Sequence, residues 1–183
     1  LNSLVKRGYT DIIEIRIHGP GRVPRVKLPK DSEVYEIGPR VRLGSIIEFE
    51  GKKSRRNLKI GYYDAKRLLY GLEGIIYYLE QTHDDAWYEQ QLEGISEREK
   101  AEMAFVLKLA LGFSDKELYL AMLEATAKLL RVPKYEIYTV DAFTEVVKER
   151  YALLADKINL PRFTHILMNI GEDKEMDLKG RNF

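Results

Sequence analysis

The sequence predicts a mainly α-helical fold, a helical bundle of about five helices preceded by a basic N-terminal arm or a small antiparallel β region. Three observations support this. The first third alternates apolar and charged residues between turn residues, the rest carries apolar residues at helical spacing, and the net charge changes sign between the two parts. We expect a basic arm over residues 1–60, a helical bundle over 61–171 and a charged tail over 172–183.

Composition limits the classes of function. With 183 residues and 45% hydrophobic content, the chain can bury a proper core, and with no cysteine it cannot form disulfides, thiolate zinc sites or iron–sulfur clusters. No apolar run approaches the roughly 20 residues of a membrane span, so we expect a soluble protein. Asn and Gln are scarce beside abundant Glu, Lys and Arg, a bias typical of hyperthermophiles.

Strands are predicted in the arm, where four segments alternate apolar and charged residues. The apolar members are Ile13, Ile15 and Ile17; Val26 and Leu28; Val41 and Leu43; Ile47 and Phe49. Glycine and proline between these segments provide turns. An extended arm lying along a partner fits the same pattern, because the prolines would interrupt a long strand ladder.

A first long helix is predicted from about Tyr62 to Gln81. Its apolar stripe follows the i, i+3, i+4, i+7 rule and consists of Ala65, Leu68, Leu69, Leu72, Ile75, Ile76 and Leu79. Gly71 and Gly74 lie in this stretch at a cost of about 1 kcal/mol each relative to alanine, which indicates a close approach to the backbone. Five of the tyrosines cluster here, as they do in subunit interfaces, against nucleic acid or in helix packing.

The later helices are marked by their ends. Two capping boxes, Ser96 with Glu99 and Ser114 with Glu117, open helices over about 97–111 and 115–131. The first of these is apolar nearly all round, so we expect it to be central. A further helix carries Phe143, Val146, Val147, Tyr151 and Leu154, and Pro161 can begin a last one. Residues 135–140 fit either strand or helix.

Charge is distributed unevenly along the chain. Residues 1–60 contain 14 Lys and Arg against seven acids, a net charge of +7, whereas the remaining 123 residues have a net charge of −6. Such a split indicates that one part binds a polyanion. The predicted nucleic-acid-binding residues are Lys6, Arg7, Arg16, Arg22, Arg25, Lys27, Lys30, Arg40, Arg42, Lys52, Lys53, Arg55, Arg56 and Lys59.

Two kinds of contact are expected from these residues. Strand pairs at i and i+2, namely Arg16 with His18, Arg25 with Lys27 and Arg40 with Arg42, would stand about 6.6 Å apart, close to the spacing of alternate phosphates. Residues 52–57 are expected to form a loop with four more cations. The alternative is that these charges are simply the solvated face of a sheet.

Candidate catalytic residues are few. His83, Asp84 and Asp85, with Glu80 and Glu89 nearby, form the one tight cluster of metal-ligand types, but acids at this position also suit the start of a helix. No nucleotide-binding, metalloprotease or hydrolase motif is present. We therefore predict no catalytic residues, no metal and no cofactor, and keep a carboxylate-metal enzyme as the least favoured alternative.

Two families resemble this organisation. A basic, proline-punctuated arm before a compact helical bundle, in a cysteine-free chain of this length, resembles the major coat proteins of filamentous viruses of hyperthermophilic archaea. The resemblance implies wrapping of double-stranded DNA, assembly with copies of the same chain and with a related second coat protein, and a location in the virion or the cytoplasm. The GINS replication subunits also place a small β domain before helices, and Leu28-Pro29 falls where that family has Leu-Pro-x-Trp, although the only Trp here is Trp87.

The sequence thus favours a non-enzymatic nucleic-acid-binding structural protein that self-assembles through its helical body. The charge pattern by itself does not distinguish DNA from RNA. A subunit of a cellular complex, whose basic segment meets an acidic protein, is the competing interpretation.

Overall fold

A computed structural model of the chain describes residues 1–16, 26–41, 43–44 and 50–170. Within them the chain is mainly helical, as predicted, and divides into two compact units, Leu1–Leu72 and Glu73–Phe183. The α-helices are α1 Asn2–Lys6, α2 Gly51–Tyr70, α3 Asp85–Leu92, α4 Glu97–Leu107, α5 Asp115–Leu129, α6 Val140–Leu154 and α7 Arg162–Asn169. The strands are β1 Asp11–Ile15, β2 Glu33–Ile37, β3 Tyr78–Glu80 and β4 Ile137–Thr139. The predicted boundary at residue 60 falls inside α2, and the predicted tail lies outside the described residues.

The first unit contains a two-stranded sheet in which β1 and β2 run parallel, so the predicted antiparallel pairing is wrong. The side of β1 that the alternation predicts to be buried is also wrong. Ile12 is buried, whereas Ile13 and Ile15, the residues predicted to face the core, are 55% and 73% exposed. Because strand side chains alternate between the two faces, a buried Ile12 places Ile13 and Ile15 on the opposite, exposed face.

The other predicted strands of the arm have different outcomes. Residues 26–29 and 40–41 are not strands, and residues 45–49 lie outside the described residues. The observed partner of β1 is β2, which the sequence pattern did not predict. Its two acids, Glu33 and Glu36, break the alternation of apolar and charged residues that indicates a half-buried strand.

Helix α2 begins and ends about ten residues earlier than the predicted helix. Its N-terminal turns are made of lysine and arginine, which have good helix propensity but give no apolar periodicity. Gly71 ends the helix in the left-handed conformation, with φ of +62°, while the N–H of Leu72 donates to the carbonyl of Arg67 at 2.9 Å. The apolar residues after Gly71 therefore lead into β3 instead of continuing the helix.

Helix α5 is the centre of the second unit. It contacts α3, α4, α6 and α7, and eight of its residues are buried. The prediction that the preceding helix is central is wrong, because α4 buries only Lys100, Met103 and Ala104 and leaves Phe105 and Val106 exposed. The strands β3 and β4 pair in parallel beside this helical core, so residues 137–139 of the ambiguous segment form a strand.

Both predicted capping boxes are confirmed. Ser96 and Ser114 each accept a hydrogen bond from the backbone N–H three residues later, and the glutamates at those positions accept from the backbone N–H of the serines. Pro161, predicted to be the first helical residue, is instead the N-cap of α7, which begins one position later at Arg162. These helix starts depend on contacts within four residues, which is why the sequence locates them well.

A buried carboxylate holds the turn before β3. Glu124 of α5 is 3% exposed and accepts the backbone N–H groups of Ile75, Ile76 and Tyr77 at 2.9, 2.9 and 2.7 Å. Gly74 begins this turn with φ of +84°, and a Cβ there would lie 2.5 Å from a Glu124 carboxylate oxygen. The predicted close approach is therefore confirmed at Gly74, where the approaching group is a side chain from α5, and is wrong at Gly71, where a Cβ would meet nothing within 4 Å.

We expect Gly74→Ala to lower the free energy of unfolding by about 3 kcal/mol or more, because it combines a strained backbone with displacement of a carboxylate that satisfies three donors. Gly112→Ala is the matched control. Gly112 has φ of +82°, and a Cβ added there would meet nothing within 4 Å, so only the backbone cost of about 1–2 kcal/mol should be observed. Chemical denaturation followed by circular dichroism measures both, and equal losses would contradict the role assigned to Glu124.

Candidate nucleic-acid interface

The 14 predicted binding residues do not form one continuous surface. Arg22, Arg25 and Arg42 lie outside the described residues. Of the other predicted residues, Arg16 follows β1 and five lie in α2. The remaining five all have exposed side chains and are Lys6, Arg7, Lys27, Lys30 and Arg40.

Arg16 follows β1 and is held by carboxylates of its own sheet. Its guanidinium contacts Glu14 at 3.0 Å and Glu36 at 3.3 Å. The hydrogen bond that it donates to Glu14 raises the pKa of Arg16. Because two acids already neutralise this cation, Arg16 is a poor candidate for phosphate contact.

The predicted strand pairs of cations are not formed where they can be observed. Lys27 lies in an irregular segment and Arg40 in a bend, so the strand spacing expected for these positions is wrong. His18 and the partners Arg25 and Arg42 lie outside the described residues. The observed geometry therefore does not provide the phosphate spacing that the alternation indicated.

Helix α2 provides the concentrated basic surface instead. The loop predicted for residues 52–57 is wrong, because these residues form the first turns of this helix. The helix has seven basic residues and one acid, a net charge of +6. Lys52, Arg55, Arg56, Lys59 and Lys66 recur at helical spacing and form what we call the basic face. All but Lys66 are exposed, and Lys66 is half-buried.

The single acid of α2 is turned away from the basic face. Asp64 is 8% exposed and lies on the buried side of the helix with Ile60 and Arg67. A carboxylate oxygen of Asp64 lies 3.7 Å from the Arg67 guanidinium. Within the described part of the chain, Lys52, Arg55, Arg56 and Lys59 form no ion pair with a carboxylate. The fifth predicted residue, Lys53, is half-buried and contacts Glu50 at 3.2 Å.

Aromatic rings extend the basic face toward the end of the helix. Tyr62 is 55% exposed and meets Tyr63 edge-on, with ring centroids 5.3 Å apart. The ammonium of Lys66 lies 4.7 Å from the centre of the Tyr62 ring, and a hydrogen bond with Tyr62 raises the pKa of Lys66. Lys66 is not among the predicted binding residues. Its seven-residue spacing from Lys59 would have indicated it, had the helix been placed correctly.

The basic face has the length of a nucleic-acid contact. From Lys52 to Lys66 the helix rises by about 21 Å, at 1.5 Å per residue. That length matches roughly six base steps of a strand at 3.4 Å each. Long cationic side chains on a helix can thus follow a phosphate backbone over about half a turn of duplex.

The cluster around His83 is dispersed into structural roles. His83 stacks on Trp87, with ring centroids 3.9 Å apart, and its Nε2 lies 2.7 Å from a carboxylate oxygen of Asp141. Asp84 is the N-cap of α3 and accepts the N–H of Trp87 at 3.0 Å, as the capping interpretation predicted. Among the described residues, no three potential ligand side chains come together at a metal site.

Comparison of the chain with protein-family models, with curated proteins and with solved structures gives no match. In the described ranges, no helix combines the length and apolarity that crossing a membrane requires.

We expect Asp84→Ala to lower the free energy of unfolding by about 1 kcal/mol, because it removes the N-cap of α3. Asp84→Asn should retain nearly all of that stability, since asparagine caps a helix about as well. Thermal unfolding measures both variants. If alanine at this position left the melting temperature unchanged, the capping role would be wrong and the carboxylate would be available for another function.

Proposed function

We propose that the protein is a non-enzymatic nucleic-acid-binding structural protein, which contacts the phosphate backbone through the basic face of α2. The supporting observation is that four exposed cations and Lys66 share one side of a helix whose only acid is buried on the other side. Within the described ranges no carboxylate pairs with Lys52, Arg55, Arg56 or Lys59, and such cations favour phosphate because contact releases the counterions condensed on the polymer.

The polymer we favour is double-stranded DNA, bound without readout of its sequence. A convex helix surface of flexible lysine and arginine side chains suits phosphate oxygens more than base edges. Such a surface, combined with self-association of the second unit, would let many copies cover one nucleic acid. This role corresponds to that of the coat proteins which the organisation of the sequence resembles.

The logarithm of the chain's affinity for a DNA duplex should fall with the logarithm of the salt concentration at a slope of about −4.5, if five cations meet phosphates. The double substitution Arg55→Gln with Lys59→Gln should reduce that slope by about 2, because two phosphate contacts are lost. Fluorescence anisotropy of a labelled duplex across a salt series measures both.

The matched control is Lys128→Gln with Lys134→Gln, which removes the same charge from exposed positions of the second unit. This control should lower affinity far less and leave the slope nearly unchanged. An affinity that stays flat between low and moderate salt would reject the proposal. Equal effects of the two double substitutions would show that net charge matters and that the basic face does not.

A second candidate function has its own observation, an exposed apolar seam beside the basic face. Leu58, Tyr62 and Leu69 are 74%, 55% and 63% exposed and follow the spacing of a coiled-coil seam. Lysines flank this seam at seven-residue intervals, and they are Lys52, Lys59 and Lys66. A helix of a partner subunit with acids beside its own apolar seam would complement both features, as expected for a member of a cellular complex.

A pair of designed helical peptides separates the two candidates. Both peptides carry a leucine seam, one flanked by glutamate and the other by lysine. The subunit candidate predicts binding of the glutamate peptide only, weakened at least about tenfold by Leu58→Ser with Leu69→Ser. Titration calorimetry measures this, and no binding of the glutamate peptide would remove the candidate. The same double substitution should leave DNA affinity unchanged under the nucleic-acid proposal.

A further inference from the structure

The second unit has an apolar groove between α4 and α7. The groove has a volume of about 170 Å³, with Met103 and Phe163 at its buried base and Val106 and Ile166 along its sides. Glu102 and Arg162 stand at its mouth, 3.9 Å apart. An apolar cavity of about 150 Å³ holds one benzene ring. The groove therefore has the size and polarity to accept a single aromatic side chain.

Helix α4 also displays an aromatic side chain that the described residues leave uncovered. Phe105 is 86% exposed, and Leu111 just beyond the helix is fully exposed. The groove is lined by α4 residues on one stripe, whereas Phe105 lies about 100° around the helix from that stripe. The Phe105 ring consequently points away from the groove beside it. The Phe105 ring can therefore fill a groove only on another copy of the chain.

Two cations, Arg98 and Lys108, and one acid, Glu102, lie near Phe105 along α4. Arg98 lies seven residues earlier on the same side of α4, and Lys108 lies at the end of the helix with its side chain exposed. Arg98 contacts Glu102 at 3.1 Å, yet its side chain remains 89% exposed and can reach a second carboxylate. The exposed ring together with these cations forms what we call the knob.

The α4 edge of the groove is anionic. It carries Glu99 and Glu102, and Arg162 of α7 pairs with both, so the groove lining has two acids and one base and a net charge of −1. Hydrogen bonds from Ser96, together with the charge of Arg162, lower the pKa of Glu99, so that its carboxylate stays ionised at neutral pH. A knob that carries Arg98 and Lys108 thus meets a groove whose lining has a net charge of −1, which suits two copies of one chain.

We propose that Phe105 of one copy inserts into the α4–α7 groove of the next. Because knob and groove are different patches, each copy that accepts a ring still presents its own ring to a further copy. The contact is heterologous and produces a chain of copies, either a ring or an open helical filament. This inference rests on the self-assembly part of the proposed function and is independent of contact between α2 and nucleic acid.

Two variants remove the two halves of the contact separately. Phe105→Ala deletes the knob and keeps the groove. Val106→Arg keeps the knob and places a charge in the groove, while Glu102, four residues earlier, supports an arginine on the helix surface. Both positions are exposed, so the fold should persist, which circular dichroism and the melting temperature verify. Leu153→Ala, at a 66% exposed apolar position of α6, is the matched control.

Sedimentation velocity of the 183-residue chain without DNA should show concentration-dependent oligomers. Each variant alone should self-associate at least roughly 30-fold more weakly, while Leu153→Ala behaves as the parent chain. Mixing the two variants should restore a single contact, the knob of Val106→Arg in the groove of Phe105→Ala, and give a heterodimer that grows no further.

Several results would overturn the inference. These are a parent chain that remains monomeric, a Phe105→Ala variant that assembles as the parent does, and a mixture of the two variants that forms no heterodimer. A monomeric parent whose melting temperature falls on Val106→Arg would assign the groove to a segment of the same chain. DNA affinity is measured on the same samples. An absence of DNA binding would reject the proposed function of α2 without affecting the assembly contact. An absence of assembly would reject the contact without affecting the proposed function of α2.

Discussion

The buried carboxylate of Glu124 is the contact on which the second unit depends. It satisfies three consecutive backbone N–H groups ahead of β3, of which that of Tyr77 is buried and would cost about 1–3 kcal/mol without an acceptor. By holding that turn, the central helix α5 positions Tyr77 in the core, where its ring meets Phe143 and its hydroxyl donates to the carbonyl of Val132. Burial raises the pKa of Tyr77, so the phenol stays neutral and keeps this hydrogen bond. The pairing of β3 with β4 follows from the same placement.

The two surfaces to which we assign proposed functions differ in the physical reason for their exposure. The basic face of α2 remains cationic because its helix directs the single acid inward, and long lysine and arginine side chains are readily solvated. The knob on α4 is different, since exposing a phenylalanine side chain to water instead of an apolar environment is unfavourable. The first surface can persist in a monomer at little cost. The second is stabilised only when another surface covers it, and for that reason we connect it with assembly.

Local chemistry accounts for most of what the sequence predicts correctly. The capping boxes at Ser96 and Ser114 and the N-cap at Asp84 each involve residues within four positions, and all three are observed. The predicted position of α2 is wrong because its charged N-terminal turns lack apolar periodicity and because Leu72, Ile75 and Leu79 continue the helical spacing by coincidence beyond Gly71. The candidate site was affected for the same reason. Four of the five residues of the basic face were predicted and Lys66 was not, because the face they share exists only once they are placed on a helix.

By itself the sequence determined the mainly helical class, the positions where several helices begin, and the excess of cations in the first third of the chain. These properties follow from composition and from interactions between near neighbours. Only the tertiary structure decided that β1 and β2 run parallel, that α5 and not α4 is central, and that Arg16 is neutralised by Glu14 and Glu36. Each of these depends on which distant segments meet. Pairing direction, burial and charge neutralisation are properties of such contacts, and no local pattern of residues encodes them.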